Sequence, residues 1–342
     1  MKKTYGVVLV GCGHIGGEHI ADIYYRENIR ICGVVDKNLD LAHQFAKRYQ
    51  ADSYSDDYKE YLTNPDVDIF IIATYTNTHL PILKDCIKHG IHVLCEKPMA
   101  ATLDETREFR DLVLAAPIKV RIGHILRFNH SYLKVKELID AGAIGKPIVM
   151  RMAQNHHCMN WPRYKRLLDD CPPVIDCGVH YFDVMQWMTG SQIRRVSGIK
   201  SRLDDDLVPG AYNYSIVNLQ LEDGSVGYYE SGWSRSMAAS NTKEFVGPRG
   251  RIRLVYQNLR PNHQEEGDEI ELYNAETGEY RMINLQSKYK PMWEQLSGLI
   301  EAIEKDISNE QHIEEAYSAA RVAFCCDQAL RANAFVDVDP NL

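Results

Sequence analysis

Along its first third the chain alternates short apolar runs with longer stretches whose apolar positions recur every three or four residues. The runs at 5–10, 31–35, 68–73, 91–95 and 119–123 are rich in Val and Ile and too short for helices, so they read as buried strands. Helical spacing fills the gaps at 15–25, 39–49, 78–89 and 103–114, with a short piece at 56–62. Strands alternating with helices of this length predict right-handed crossovers and a doubly wound parallel sheet.

Beyond residue 124 the texture changes. Strand-like runs at 148–154, 193–200, 212–221, 225–233, 242–246, 251–256, 270–273 and 280–285 follow one another, and Asp223-Gly224 and Pro248-Arg249-Gly250 mark tight turns. That spacing predicts a largely antiparallel sheet. Helices are expected at 132–140 and 176–188 and, closing the chain, at 292–307 and 313–332, while Asn155 to Cys158 sit on the strand end and a loop carries Trp161 to Arg166. The fold class is therefore α/β, with a doubly wound parallel sheet over residues 1–123 and an α+β domain over 124–342.

Composition narrows the function. A chain of 342 residues favours two domains over one. The net charge is −8 with scattered basic residues, so there is no electrostatic footprint for nucleic acid, and small molecules are the expected partners. The apolar start is too short and too soon followed by glycines for a signal peptide, and no run is long enough to span a membrane. A cytoplasmic protein with nine reduced cysteines is the expectation.

The first strand runs straight into Gly11-Cys12-Gly13-His14-Ile15-Gly16 and then a helix, the setting that the G-x-G-x-x-G pattern requires. Its glycines allow a tight turn and close approach of a pyrophosphate, and the helix N-terminus offers unpaired N–H groups. The second strand ends in Asp36, about 20 residues past Gly16, where an acid accepts from ribose hydroxyls and repels a 2′-phosphate. NAD is thus expected over NADP, with Lys37 able to soften the preference. Candidate cofactor contacts are Gly11, Gly13, His14, Ile15, Gly16, Asp36 and Lys37, with Ala73, Thr74, Asn77 and His79 from the loop after the third strand. That loop also reads as a helix cap with Asn77 or Thr78 as N-cap, and both readings can hold.

The run at 91–95 continues into Glu96-Lys97-Pro98, which places a cation and a rigid bend at the strand's C-terminal end, where open parallel sheets bind ligands. Glu96 and Lys97 join the cofactor-side candidates. In the second domain Asp176, His180 and Asp183 fall at i, i+4 and i+7, one face of the helix expected at 176–188. This row reads either as a site or as a capped, hydrogen-bonded helix start.

Taken together, the glycine loop, Glu96-Lys97-Pro98, Gly123-His124 to Arg127-Phe128 and Asp176-Cys177-Gly178-Val179-His180-Tyr181-Phe182-Asp183 resemble the glucose–fructose oxidoreductase/inositol dehydrogenase/MocA (Gfo/Idh/MocA) family, in order over about the first 190 residues. The resemblance implies a Rossmann domain binding NAD(P), an open-faced second sheet often used for oligomerisation, and hydride transfer between nicotinamide and a sugar or cyclitol carbon. It assigns a reactive lysine to Lys97, its paired acid to Asp176 and a proton-transferring histidine to His180, with a cis Lys97–Pro98 bond. Two departures stand out: His130 replaces a common proline, and Cys171-Pro172-Pro173 replaces a glycine-rich lead. A homodimer or homotetramer through the second sheet is expected.

Substrate contacts are expected from Lys97, Arg127, His156, Trp161, Asp176 and His180. The segment with His156, Trp161, Arg163, Tyr164, Lys165 and Arg166 reads either as a grip for an anionic sugar or as solvated charge. The cysteines and histidines lack zinc spacing, so no metal is expected. Two other readings compete with the dehydrogenase: a glycoside-cleaving enzyme using transient oxidation by retained NAD, and a dinucleotide-binding sensor without turnover.

Overall fold

The computed structural model of the chain describes residues 3–255, 269–288 and 290–339. Strands and helices alternate from the N-terminus as β1 (Tyr5–Val10), α1 (His14–Ile23), β2 (Ile29–Val35), α2 (Leu39–Tyr49), β3 (Tyr54–Ser55), β4 (Ile69–Ile72), α3 (His79–His89), β5 (His92–Cys95), α4 (Leu103–Ala115) and β6 (Val120–Ile122). The six strands form one parallel sheet in the order β3-β2-β1-β4-β5-β6. Every side chain of β1 and β4 is buried, as expected of strands covered by helices on both faces. The chain leaves β1 towards β2 on one side and returns to β4 on the other, so the loops after β1 and β4 meet at the sheet's topological switch point.

After residue 125 come α5 (His130–Asp140), β7 (Val149–His157), α6 (Trp161–Asp170), α7 (Pro173–Asp176), α8 (Gly178–Thr189), β8 (Ile193–Ser201), β9 (Tyr214–Leu221), β10 (Val226–Ser234), β11 (Ser240–Gly247), β12 (Gly250–Val255), β13 (Glu269–Asn274) and β14 (Tyr280–Asn284). The helices α9 (Met292–Glu304) and α10 (Glu310–Ala332) and the short strand β15 (Val336–Asp337) end the described chain. Nine strands form the second sheet, in the order β14-β13-β12-β11-β7-β10-β9-β8-β15. Its pairs are antiparallel except β7 with β10, which run parallel. Tyr256, expected at the end of a strand, lies outside the described residues.

Three expectations change. The stretch from Trp161 to Arg166 is not a loop: Trp161 to Asp170 form α6, whose apolar face packs Trp161 and Leu168 among Cys158, Leu207 and Trp233. The helix expected at 176–188 is two helices, broken at Cys177. Finally, the domain boundary is not a single cut at 123. One compact unit comprises Met1–Ile125 with Lys290–Tyr317, and the other comprises Leu126–Tyr289 with Ser318–Leu342. The reason is packing: Leu296, Leu299 and Ile300 of α9 are buried with Ile20 and Ile23 of α1 and with β1 and β4. All nine cysteines are free, and among the described residues no helix is long and apolar enough to cross a membrane.

Candidate active site

In the first unit the glycine loop is shaped by two close backbone approaches. Gly11 has φ +102°, and a Cβ there would lie 2.4 Å from the Ala73 carbonyl, while one on Gly16 would lie 1.9 Å from the Gly11 carbonyl. Gly13 is exposed and a Cβ on it would touch nothing within 4 Å. This leaves room in front of the first turn of α1, where the exposed His14 and half-buried Ile15 sit. Gly13 is the N-cap, no side chain caps the helix, and the first turn carries no acid. These features fit a dinucleotide pyrophosphate, which a helix N-terminus with unclaimed N–H groups attracts.

Beside the loop, Asp36 Oδ2 accepts from the Cys12 N–H at 2.9 Å and Oδ1 from the Asn38 N–H at 2.9 Å. Two backbone amides thus fix the carboxylate before any ligand arrives. The Lys37 ammonium donates to the Asp56 carbonyl at 3.0 Å. Cys12 is chemically quiet, since burial and then the Asp36 charge push its thiol up to about 12.

The loop after β4 begins with half-buried Ala73 and Thr74. The hydroxyls of Thr74 and Thr78 are 2.6 Å apart, and Thr78 also donates to the Tyr75 carbonyl. Thr78 is the N-cap of α3 but its side chain makes no capping bond, and Asn77 is exposed, so the side-chain cap expected of one or the other is not made. His79 is buried, with Nδ1 2.9 Å from the Pro98 carbonyl and Nε2 3.2 Å from that of Thr74. Burial holds its pKa below the ordinary value. A neutral ring has one N–H to give, which either carbonyl can accept.

Lys97 follows β5 between two anchors. Its peptide bond to Pro98 is cis, as the family resemblance implied. His79 holds the Pro98 side. On the other side the Glu96 carboxylate, 12% exposed, lies 2.7 Å from Nε2 of the fully buried His19 and 3.4 Å from the Lys97 N–H. A Cβ at Gly123 would stand 3.0 Å from both carboxylate oxygens, so only glycine leaves them room. Burial pushes the Glu96 carboxyl up, but the His19 hydrogen bond and charge and the Lys97 ammonium together outweigh it and hold it below its ordinary value. His19 went unnoticed in the sequence. Its signal was a histidine on the buried stripe of α1, with Gly16, Ile20 and Ile23.

In the second unit, the Cys171-Pro172-Pro173 lead opens α7, which ends at Asp176. The Asp176 N–H donates to the Pro172 carbonyl, and the His180 N–H, in the first turn of α8, donates to that of Cys177. Asp176, Cys177 and His180 are half-buried. Asp176 therefore ends α7 while His180 and Asp183 belong to α8, with Cys177 between them in a helical conformation. Asp183 is 1% exposed and closes on Arg127, whose Nε and Nη2 each donate to a carboxylate oxygen at 2.8 Å. Arg127, expected to touch substrate, is held to α8 by this guanidinium fork.

His156 near the end of β7 stands in an aromatic group with Tyr164 and Trp233, at ring distances of 6.0 and 5.9 Å. Trp161 is buried instead of presenting a stacking face: its Nε1 donates to Asp206 at 2.8 Å and Arg235 covers the ring at 4.9 Å. The cations here have acids of their own. Lys165 donates to the Asp206 carbonyl and lies 3.7 Å from its carboxylate, and Arg235 pairs with Asp204 at 2.8 Å and Asp206 at 3.4 Å. Among the described residues no three His, Cys, Asp or Glu side chains are grouped to hold a metal ion.

A phosphate-binding glycine loop, an acid fixed at the end of the second strand and a lysine anchored at the end of the fifth define a dinucleotide-dependent oxidoreductase with a separate second unit. The chain belongs to the Gfo/Idh/MocA family: residues 5–124 match the domain described as "Oxidoreductase family, NAD-binding Rossmann fold" and residues 132–253 the family's C-terminal domain. Similar proteins include the scyllo-inositol 2-dehydrogenase (NAD(+)) of Bacillus subtilis (strain 168), 25% identical over 77% of this chain and 77% of that one. The myo-inositol 2-dehydrogenase of Thermotoga maritima is 24% identical over 71% and 73%. The fold is also that of scyllo-inositol dehydrogenase from Lactobacillus casei, solved with bound NAD(H) and scyllo-inositol: TM-score 0.80 and 20% identity over 98% of this chain and 99% of that one.

The lowered Glu96 pKa has a testable sign. Stability from a depressed carboxyl is present above its ordinary value of 4.5 and is lost as pH falls through the folded-state value. Glu96→Gln should therefore lower stability by roughly 1.5 to 3 kcal/mol at neutral pH, the range for hydrogen bonds to charged groups. Thermal melts across pH should show the gap from wild type narrowing in acid. A gap that stayed constant would remove the ionised pair from the account.

Proposed function

We propose that this chain is an NAD-dependent dehydrogenase that oxidises a secondary alcohol of an uncharged cyclitol or sugar, with Lys97, Asp176 and His180 as its catalytic residues. The observation that carries the reading is Lys97 itself, held at the C-terminal end of β5 between a buried Glu96–His19 pair and a His79–Pro98 contact in a domain of the NAD-binding family. Relatives named inositol dehydrogenases support a cyclitol or sugar as the substrate class. The acids at 204–206 supply counter-charges to Lys165 and Arg235, which favours a neutral polyol over a uronate.

Bound nicotinamide would accept the hydride from the carbinol carbon. The chain's own residues handle the proton and the oxygen. His180, whose Nδ1 is buried, takes the hydroxyl proton at Nε2, a task suited to a group whose ordinary pKa lies near working pH. Lys97 donates to the oxygen as alkoxide character develops, and Asp176 holds the substrate hydroxyl in line. Asp36, fixed by the Cys12 and Asn38 amides, accepts from the ribose hydroxyls, and with Lys37 engaged by Asp56 its charge stands against a 2′-phosphate. The second sheet, with Val149, Ile199 and Val226 exposed on its strands, would join two or four copies. A cytoplasmic location suits the nine free thiols.

A panel of inositols, aldoses and uronates, each with NAD and NADP and followed by NADH absorbance, tests the substrate class. Turnover of an inositol or neutral sugar is expected, and turnover of uronates alone would overturn it. His180→Ala should lower kcat by roughly 10² to 10⁴ with the Kd for NAD unchanged. Near wild-type turnover would exclude His180 from proton transfer. Asp36→Ala should reduce the NAD-over-NADP ratio of kcat/KM by roughly tenfold, about 1.4 kcal/mol, and an unchanged ratio would assign the preference elsewhere.

A further inference from the structure

We propose that Lys290, 276 residues after the glycine loop it serves, supplies the cation for the dinucleotide's pyrophosphate. The helix α9 brings it there. The Trp293 N–H donates to Asp22 Oδ2 at 2.9 Å, the Arg26 guanidinium covers the Trp293 ring at 4.7 Å, and the Met292 N–H closes a turn on the Lys290 carbonyl. With the start of α9 tied to α1, the Lys290 ammonium reaches 3.0 Å from Nε2 of His14, in the first turn of α1, and 3.9 Å from Glu18. An ammonium has no lone pair, so it is the donor and His14 accepts at Nε2 as a neutral ring.

Electrostatically this is an odd place for a lysine. Cations are favoured at helix C-termini, and here one stands at the positive end of α1, against a neutral imidazole. Glu18 offsets part of that charge, at 3.9 Å and with its side chain 40% exposed. The Lys290 side chain is only 16% exposed, so water screens it poorly. The ammonium thus touches the side chain of a first-turn residue of α1, the turn whose N–H groups face the open space before Gly13, and a doubly charged anion bound there would neutralise it. Lys290 is a binding residue in this account, acting before any chemistry. The inference rests on the dinucleotide reading above and adds to it a charge from outside the G-x-G-x-x-G segment.

Titration of tryptophan fluorescence with NAD, ADP and adenosine, on wild type, Lys290→Ala and Lys290→Arg, tests the proposal. ADP carries the pyrophosphate and adenosine does not. Lys290→Ala is expected to weaken NAD and ADP by roughly 10- to 100-fold, the factor for losing a hydrogen bond to a charged group. Adenosine binding should be unchanged, Lys290→Arg should retain most of the NAD affinity, and the salt dependence of NAD binding should flatten in the alanine variant. Equal losses for adenosine and ADP would assign Lys290 to packing of α9 and overturn the proposal, as would unchanged affinity for NAD. Failure of the wild-type protein to bind NAD at all would instead sink the dinucleotide reading, and this one with it.

Discussion

The Glu96 carboxylate, almost wholly removed from water at the end of a buried strand, is the constraint to which the geometry around Lys97 is tied. An isolated buried carboxylate is too costly to persist, so the chain must supply partners around it. His19 comes from α1, the Lys97 N–H from the next residue, and the space from the glycine at 123 that follows β6. Three segments far apart in sequence are thereby held at one point. Because α1 also opens the glycine loop, one helix carries the phosphate-facing turn at its start and the lysine's anchor a turn further on.

The first unit was largely legible because its signals are local. Buried parallel strands are continuous apolar runs, the glycine loop needs its strand and helix on either side, and Asp36 falls at a fixed offset. What escaped was non-local. Nothing in the apolar stripe of α9 says that Leu296 and Leu299 will pack against Ile20 and Ile23 and return residues 290–317 to a unit that otherwise ends at 125. His19 was hidden for the same reason, since a histidine on a buried face announces a partner without naming it.

In the second unit the spacing of Asp176, His180 and Asp183 suggested one polar face of a single helix, with two prolines in the lead before it. They instead nucleate α7, which ends at Asp176 before α8 restarts at Gly178. The break separates the acid from the histidine's helix and leaves Asp183 to close on Arg127. Likewise, Trp161, Lys165 and Arg163 looked like a substrate grip because their charges and rings were visible, while the acids at 204–206 that engage Trp161 and Lys165 lie some forty residues on. A pattern of donors cannot be read without its acceptors. Once these pairs are known, the Lys165 charge is matched by Asp206, and the aromatic group of His156, Tyr164 and Trp233 remains as the more apolar feature near the end of β7.

In the proposed reaction Lys97 donates to the substrate oxygen from which His180 takes the proton. A crystal structure of the protein with NAD and an inositol that it turns over measures this directly. The account predicts both Lys97 Nζ and His180 Nε2 within about 3.2 Å of the same hydroxyl, the reach of a working hydrogen bond. A complex with the nicotinamide ring seated and either residue turned away from that oxygen would contradict it.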